Sequence, residues 1–266
     1  MLDIRPVAGP GTFIADRNPV AKLGVAAVMS LTVLTSVDWF TPLLTIAVTA
    51  LLLPATGVRL TALARRLRFV LVAAGSVVLI GTLFAADKTG TVLVDFGPVL
   101  VTSTAVDNGV ALGLRVVGVA VPGFLVFTTT DPTDLADSLI QQLHVPARFA
   151  VGALAALRLL PILAIEWQML TMARRARGLD SGGNPVAAVR LFASTVFGLL
   201  VAAIRRATRL ATAMDARGFD SAATRSHARV QRVTSVDHLM LITVVVLCVA
   251  ILVTSVLLGH HRAIWS

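Results

Sequence analysis

Apolar residues gather into five runs separated by short polar stretches, approximately Val20–Val37, Thr41–Gly57, Phe69–Ala86, Gly109–Thr128 and Leu239–Gly259. At ~1.5 Å per helical residue, runs of about 17 to 21 residues approach the thickness of a bilayer's hydrocarbon core, so each predicts a membrane-spanning helix. The second run is the shortest and has Pro42 and Pro54 near its ends, which predicts a tilted or irregular span.

A different pattern fills the segment from about Thr129 to Asp237. Alanine and leucine dominate, turn residues are confined to a few points, and over half of the chain's 23 lysines and arginines lie here. Asp131-Pro132-Thr133-Asp134 reads as a helix start, with Asp131 as N-cap, Pro132 in the first turn and Asp134 complementing the helix dipole. That helix should run to about Leu143 and break at His144-Val145-Pro146. Two long helices follow, approximately Ala147–Arg177 and Pro185–Arg217, each about 45 Å long. Pro161 should kink the first, because it removes a backbone donor in mid-helix.

Charge then sets orientation. Arg5, Arg17 and Lys22 precede the first run, and Arg59, Arg65, Arg66 and Arg68 lie between the second and third. Short loops rich in lysine and arginine stay cytoplasmic, which places both segments inside. Residues 87–108 carry Asp87, Asp95 and Asp107 against a single Lys88, the balance of an external loop. Five crossings then put the N-terminus and the 129–237 region in the cytoplasm and the C-terminus outside. Trp39 fits an outer interfacial anchor, and Trp265 is a second if the last residues fold back. Phe149–Ile165 and Val186–Ile204 are apolar enough to be taken for two more spans, a seven-span alternative, but a crossing there would translocate Arg174, Arg175 and Arg177. Long helices at or under the inner membrane surface are preferred, with apolar faces against lipid or one another.

Composition narrows the chemistry. Hydrophobic residues make up 56% of the chain and charged residues 14%, far from the balance of a single soluble core. The net charge of +9 would point to nucleic acid in a soluble protein. Here the arginines are not interleaved with aromatics and tyrosine is absent, so they read as topology and partner signals, with no nucleic acid expected. Arg225, Arg229 and Arg232 precede the last run and suit anionic lipid head groups. The single cysteine, Cys248, lies within an apolar run and reads as a packed thiol. His144, His227, His238, His260 and His261 have no zinc-like spacing, and no Walker A sequence is present; neither metal nor cofactor is expected on this chain. Asp3, Pro6, Pro10 and Asp16 occupy the start, so no cleavable leader is expected.

The most specific feature is a repeat. Ala176-Arg177-Gly178-Leu179-Asp180-Ser181 and Ala216-Arg217-Gly218-Phe219-Asp220-Ser221 each fall where a long helix ends. Gly178 and Gly218 can adopt the left-handed backbone that stops a helix. Each arginine is then the last side chain of its rod, favoured by the negative end of the dipole and projecting a planar fork of donors suited to a carboxylate on another protein. Binding of a soluble anion would instead want its arginines and glycines at a helix start.

These residues resemble the T component of energy-coupling factor transporters, the family that includes the cobalt and biotin transport permeases. The twin Ala-Arg-Gly motifs, Ala176-Arg177-Gly178 and Ala216-Arg217-Gly218, match that family's signature residue for residue. Asp131-Pro132-Thr133-Asp134-Leu135, then Leu143-His144-Val145-Pro146-Ala147-Arg148, then Leu159-Leu160-Pro161 with Glu166 follow its order, while Asp16-Arg17-Asn18-Pro19-Val20-Ala21-Lys22-Leu23 matches its opening only loosely, the proline being displaced. The resemblance implies a non-enzymatic coupling subunit in the bacterial cell membrane. Its two tip arginines dock into grooves on a pair of ABC-type ATPases, which bind the ATP. Its long helices cross beneath a small substrate-binding membrane protein, the S component, and pass ATP-driven motion to it for uptake of a vitamin or transition-metal ion.

The expected fold class is therefore an all-α integral membrane protein: about five transmembrane helices plus long cytoplasmic or interfacial coupling helices with two Ala-Arg-Gly tips. Its regions are 1–128, the N-terminal spans; 129–237, the coupling region; and 238–266, the last span. Glu166, the only glutamate, should pair with an arginine of a neighbouring helix, and Arg115 should snorkel or make an interhelical hydrogen bond. A self-contained secondary transporter would want ionisable groups at mid-membrane and repeated halves. A membrane-embedded lipid-modifying enzyme would want clustered acids for a divalent metal, and Asp180, Asp215 and Asp220 are the nearest approach.

Overall fold

The computed structural model describes residues 14, 16–57, 60–85, 89–95, 100–180, 182–219 and 229–259. Asp3, Arg5, Pro6, Pro10, Arg59, Asp87, Lys88, Ser181, Asp220, Ser221, Arg225, His227, His260, His261 and Trp265 lie outside them. The elements in order are α1 (Pro19–Thr35), α2 (Phe40–Thr56), α3 (Leu60–Leu83), β1 (Val92–Asp95), β2 (Leu100–Thr102), α4 (Ser103–Thr129), α5 (Pro132–Gln142), α6 (Ala147–Ala176), α7 (Pro185–Ala216) and α8 (Ser235–Leu257). The described residues form two compact units, one within 144–230 and the other within 14–143 together with 231–259.

In the second unit α4 is the central helix, packed against α3, α1 and α2, while α8 lies against α1 and α2 and α5 against α1. The α3–α4 contact is close because glycines face it. A Cβ on Gly109 would stand 2.9 Å from the Val78 carbonyl oxygen, and one on Gly113 would stand 2.3 Å from Val78 Cγ2. Apolar helices in lipid associate through such small residues, which bring backbones and dispersion contacts together where no hydrophobic effect drives them.

The helix starts follow local chemistry. Asn18 accepts from the Val20 N–H at 2.9 Å ahead of Pro19, and Asp131, the expected N-cap, accepts from Thr133 N–H at 2.7 Å ahead of Pro132. Thr234 and Asp237 form a reciprocal capping box that starts α8 four residues earlier than its apolar run. His144 takes a positive φ of 52°, which ends the α5 segment at the expected break. Arg115 of α4 donates to the carbonyl of Leu34 near the end of α1, an interhelical hydrogen bond of the expected kind.

Two differences from the sequence pattern concern the 87–108 stretch and the span lengths. Part of the stretch is an antiparallel strand pair, Val92 opposite Thr102 and Asp95 opposite Leu100, and α4 starts directly from it at Ser103 rather than near Gly109. Alternating β-branched residues favour the pair, and Thr102 caps α4 by accepting from Ala105 N–H. As for length, α4, α6, α7 and α8 are long and apolar enough to cross a membrane, whereas Pro19–Thr35, Phe40–Leu53 and Leu67–Leu83 are shorter apolar helices. A shorter stretch is accommodated by local bilayer thinning or by snorkelling of flanking side chains.

At the α1–α2 turn, Asp38 is buried and accepts from Ser36 Oγ at 2.7 Å, Thr41 Oγ1 at 2.9 Å and Thr41 N–H at 3.3 Å, and also from Ser255 Oγ near the end of α8. Burial alone would push this carboxyl up. The four hydrogen bonds outweigh it and hold Asp38 below the usual carboxylate range.

Candidate functional site

The first unit is built on α6 and α7, whose contacts pair rising positions on one helix with falling positions on the other. Arg148 and Gly152 of α6 face Met214 and Asp215 of α7 across a groove of about 420 Å³, and the Trp167 ring meets that of Phe192 edge-on at 5.3 Å. Further along, Arg174 Nη1 donates to the Leu191 carbonyl at 3.0 Å, Ser194 Oγ at 2.6 Å and Thr195 Oγ1 at 2.7 Å. The helices therefore run antiparallel, and their C-terminal ends lie at opposite extremities of the pair. α6 continues through Pro161 as one helix.

Glu166 and Arg206 join the helices midway by a two-pronged ion pair, with Arg206 Nη1 at 2.8 Å from Glu166 Oε2 and Nη2 bonded to Oε1. This is the expected arginine partner for the only glutamate. Arg174 is the tie that the sequence did not single out. Its neighbours Arg175 and Arg177 are chemically identical, and only the helix phase that turns position 174 toward α7 distinguishes it.

Both helix ends have the same geometry. Arg177 and Arg217 are the C-caps, with φ of −89° and −90°. Gly178 and Gly218 follow with φ of +73° and +69°. Gly178 N–H bonds the Arg175 carbonyl at 2.9 Å and Leu179 N–H bonds that of Arg174 at 3.0 Å; Gly218 N–H and Phe219 N–H repeat this on Asp215 and Met214 at 2.9 and 3.0 Å. This is the Schellman arrangement, which satisfies the last carbonyls of a helix and requires a left-handed residue where each glycine stands. Ala176, Arg177, Gly178, Ala216, Arg217 and Gly218 are all exposed, and among the described residues neither arginine side chain has a hydrogen-bond or ion-pair partner. The spare forks sit on rigid, closed helix ends.

Little else in this unit is enclosed. In α6 and α7 only Ala150 and Thr195 are buried, while Phe149, Ile165, Met172, Phe192, Phe197 and Ile204 are exposed on the chain. Apolar surface so extensive is covered by lipid or by another protein.

The family model described as cobalt transport protein, CbiQ, matches residues 11–228. The energy-coupling factor transporter transmembrane protein EcfT 1 of Listeria monocytogenes is 30% identical over 201 residues, 73% of this chain and 75% of that protein. The EcfT proteins of Listeria innocua and Staphylococcus aureus are 31% and 27% identical over 168 and 150 residues, covering 60% and 53% of this chain and 63% and 56% of theirs. The matched stretches thus run from three quarters down to little more than half of the relatives' lengths. The fold and these relatives define a multi-pass, predominantly helical membrane component of a transporter. The chain belongs to the family described as cobalt transport protein, CbiQ, and is similar to EcfT transmembrane proteins of energy-coupling factor transporters.

Proposed function

We propose that the chain is the coupling subunit of an energy-coupling factor importer, joining two ABC-type ATPases to a substrate-binding S component for uptake of a vitamin or transition-metal ion. The observation that carries this reading is the pair of matching helix ends, each presenting an exposed arginine whose side chain has no partner among the described residues. A guanidinium held at a closed helix end meets a carboxylate groove with little further loss of freedom, and its charge complements the helix dipole. Ala176, Gly178, Ala216 and Gly218 let the partner's backbone approach. The ties at Arg174 and Glu166–Arg206 make α6 and α7 one stiff body able to pass on a displacement of either tip. ATP is bound by the ATPases, and this chain supplies no catalytic group.

The coupling region and the N-terminus lie on the cytoplasmic side in this reading, and the C-terminus outside. Length and apolarity alone would also let α6 and α7 span. The arginines in and beside the last turn of α6 favour helices lying at the inner surface.

The test is co-purification. The solubilised chain should carry two ATPase subunits, and Arg177→Glu together with Arg217→Glu should release them while leaving membrane insertion intact. Each single substitution should weaken assembly less, because two contacts tether one partner pair. Full uptake and ATPase stimulation in the double variant would refute the assignment.

A further inference from the structure

Two cavities of the bundle unit share a wall. One, of about 200 Å³, lies where the chain enters α1, α5 and α8. Its lining combines three cations, Arg17, Lys22 and Arg232, with three carboxylates, Asp16, Asp131 and Asp134. Thr130 lines it too; this residue is only 7% exposed, and its hydroxyl is buried with no hydrogen-bond partner. A buried hydroxyl is rarely left unmade, because its desolvation is then uncompensated. The second cavity, of about 80 Å³, is almost wholly apolar, walled by Val25, Met29, Leu52, Leu125, Val126 and Val244. Lys22 borders both, and its ammonium donates to the Thr129 carbonyl at 3.0 Å.

A polar cup adjoining an apolar crevice at Lys22 fits an amphiphile, with the head in the cup and a chain in the crevice. In a membrane the abundant amphiphile is phospholipid. The cup's mixed charge selects among head groups. A purely anionic head would face three carboxylates, and a quaternary ammonium has no N–H to donate to them. A phosphate joined to a primary ammonium satisfies both signs: cations and the Thr130 hydroxyl for the phosphate, carboxylates for the ammonium. We propose that the joined cup and crevice bind a zwitterionic phospholipid with a primary-amine head group.

Native mass spectrometry of the delipidated full chain in detergent tests this, with phosphatidylethanolamine, phosphatidylglycerol, phosphatidylcholine and free O-phosphoethanolamine as probes. Phosphatidylethanolamine should bind at least about fivefold tighter than the other two lipids. Thr130→Val should weaken it by about tenfold, one hydrogen bond to a charged group, without changing the melting temperature of the lipid-free chain. Val126→Phe, which fills the crevice, should weaken all three lipids and leave O-phosphoethanolamine untouched. If Thr130→Val does not fold, Arg232→Gln should reduce the same preference. Equal binding of the three lipids, or a preference unmoved by the cup variants, overturns the proposal. Binding of O-phosphoethanolamine as tight as that of the lipid overturns the lipid assignment and gives the cup to a soluble phosphate ester.

Discussion

Gly178 meets no atom within 4 Å of where a Cβ would stand, so replacing it tests backbone conformation alone. Gly178→Ala should cost about 1 kcal/mol in the left-handed turn, loosening the last turn of α6 and the aim of Arg177. In the proposed complex, affinity for the ATPase pair should fall by about fivefold in a pull-down titration while the chain's own melting temperature hardly moves. Gly178→Asn should recover most of the loss, since asparagine tolerates this conformation. At this scale the sequence was highly legible: the arginine-glycine pairs placed both helix ends within one residue. Arg174 was not legible, because a position's facing depends on tertiary packing that composition does not encode.

Between elements, charge and shape each offer a test. Glu166→Arg should uncouple α6 from α7, and Glu166→Arg with Arg206→Glu should restore the tie with reversed polarity, which in the proposed importer gives back most of the uptake lost in the single variant. In the bundle, Gly113→Leu would drive a side chain into Val78 and the carbonyl of Ala74, and should separate α3 from α4 at a cost of about 3 kcal/mol in a detergent unfolding titration. Helix positions were readable from runs and caps, and α5, α6 and α7 fall nearly where Pro132, Pro146 and Asn184 predict. The β1–β2 pair was hidden because strands of only four and three residues carry too short a pattern to stand out beside an acidic loop. The small-residue seam of α4 was likewise masked by the apolarity that made it a span.

For the molecule as a whole, Asp38 links acidity to stability. Its folded-state pKa lies below the ordinary carboxylate value, so its contribution is fully present above that value and is lost as pH falls through the folded-state one. The melting temperature in detergent should be level above about pH 5 and drop below about pH 4. Asp38→Ala should flatten that drop and cost about 2 kcal/mol at neutral pH, since three buried hydroxyls lose their acceptor. That α5 packs with the bundle while α6 and α7 form their own unit was not readable, because apolar content alone does not say which helix meets which. The opposite course of α6 and α7 has one more consequence. Two like rods laid head to tail approximate a dyad, so a single polypeptide offers the same key twice, turned half a revolution, and can straddle a pair of identical locks related by the same half-turn.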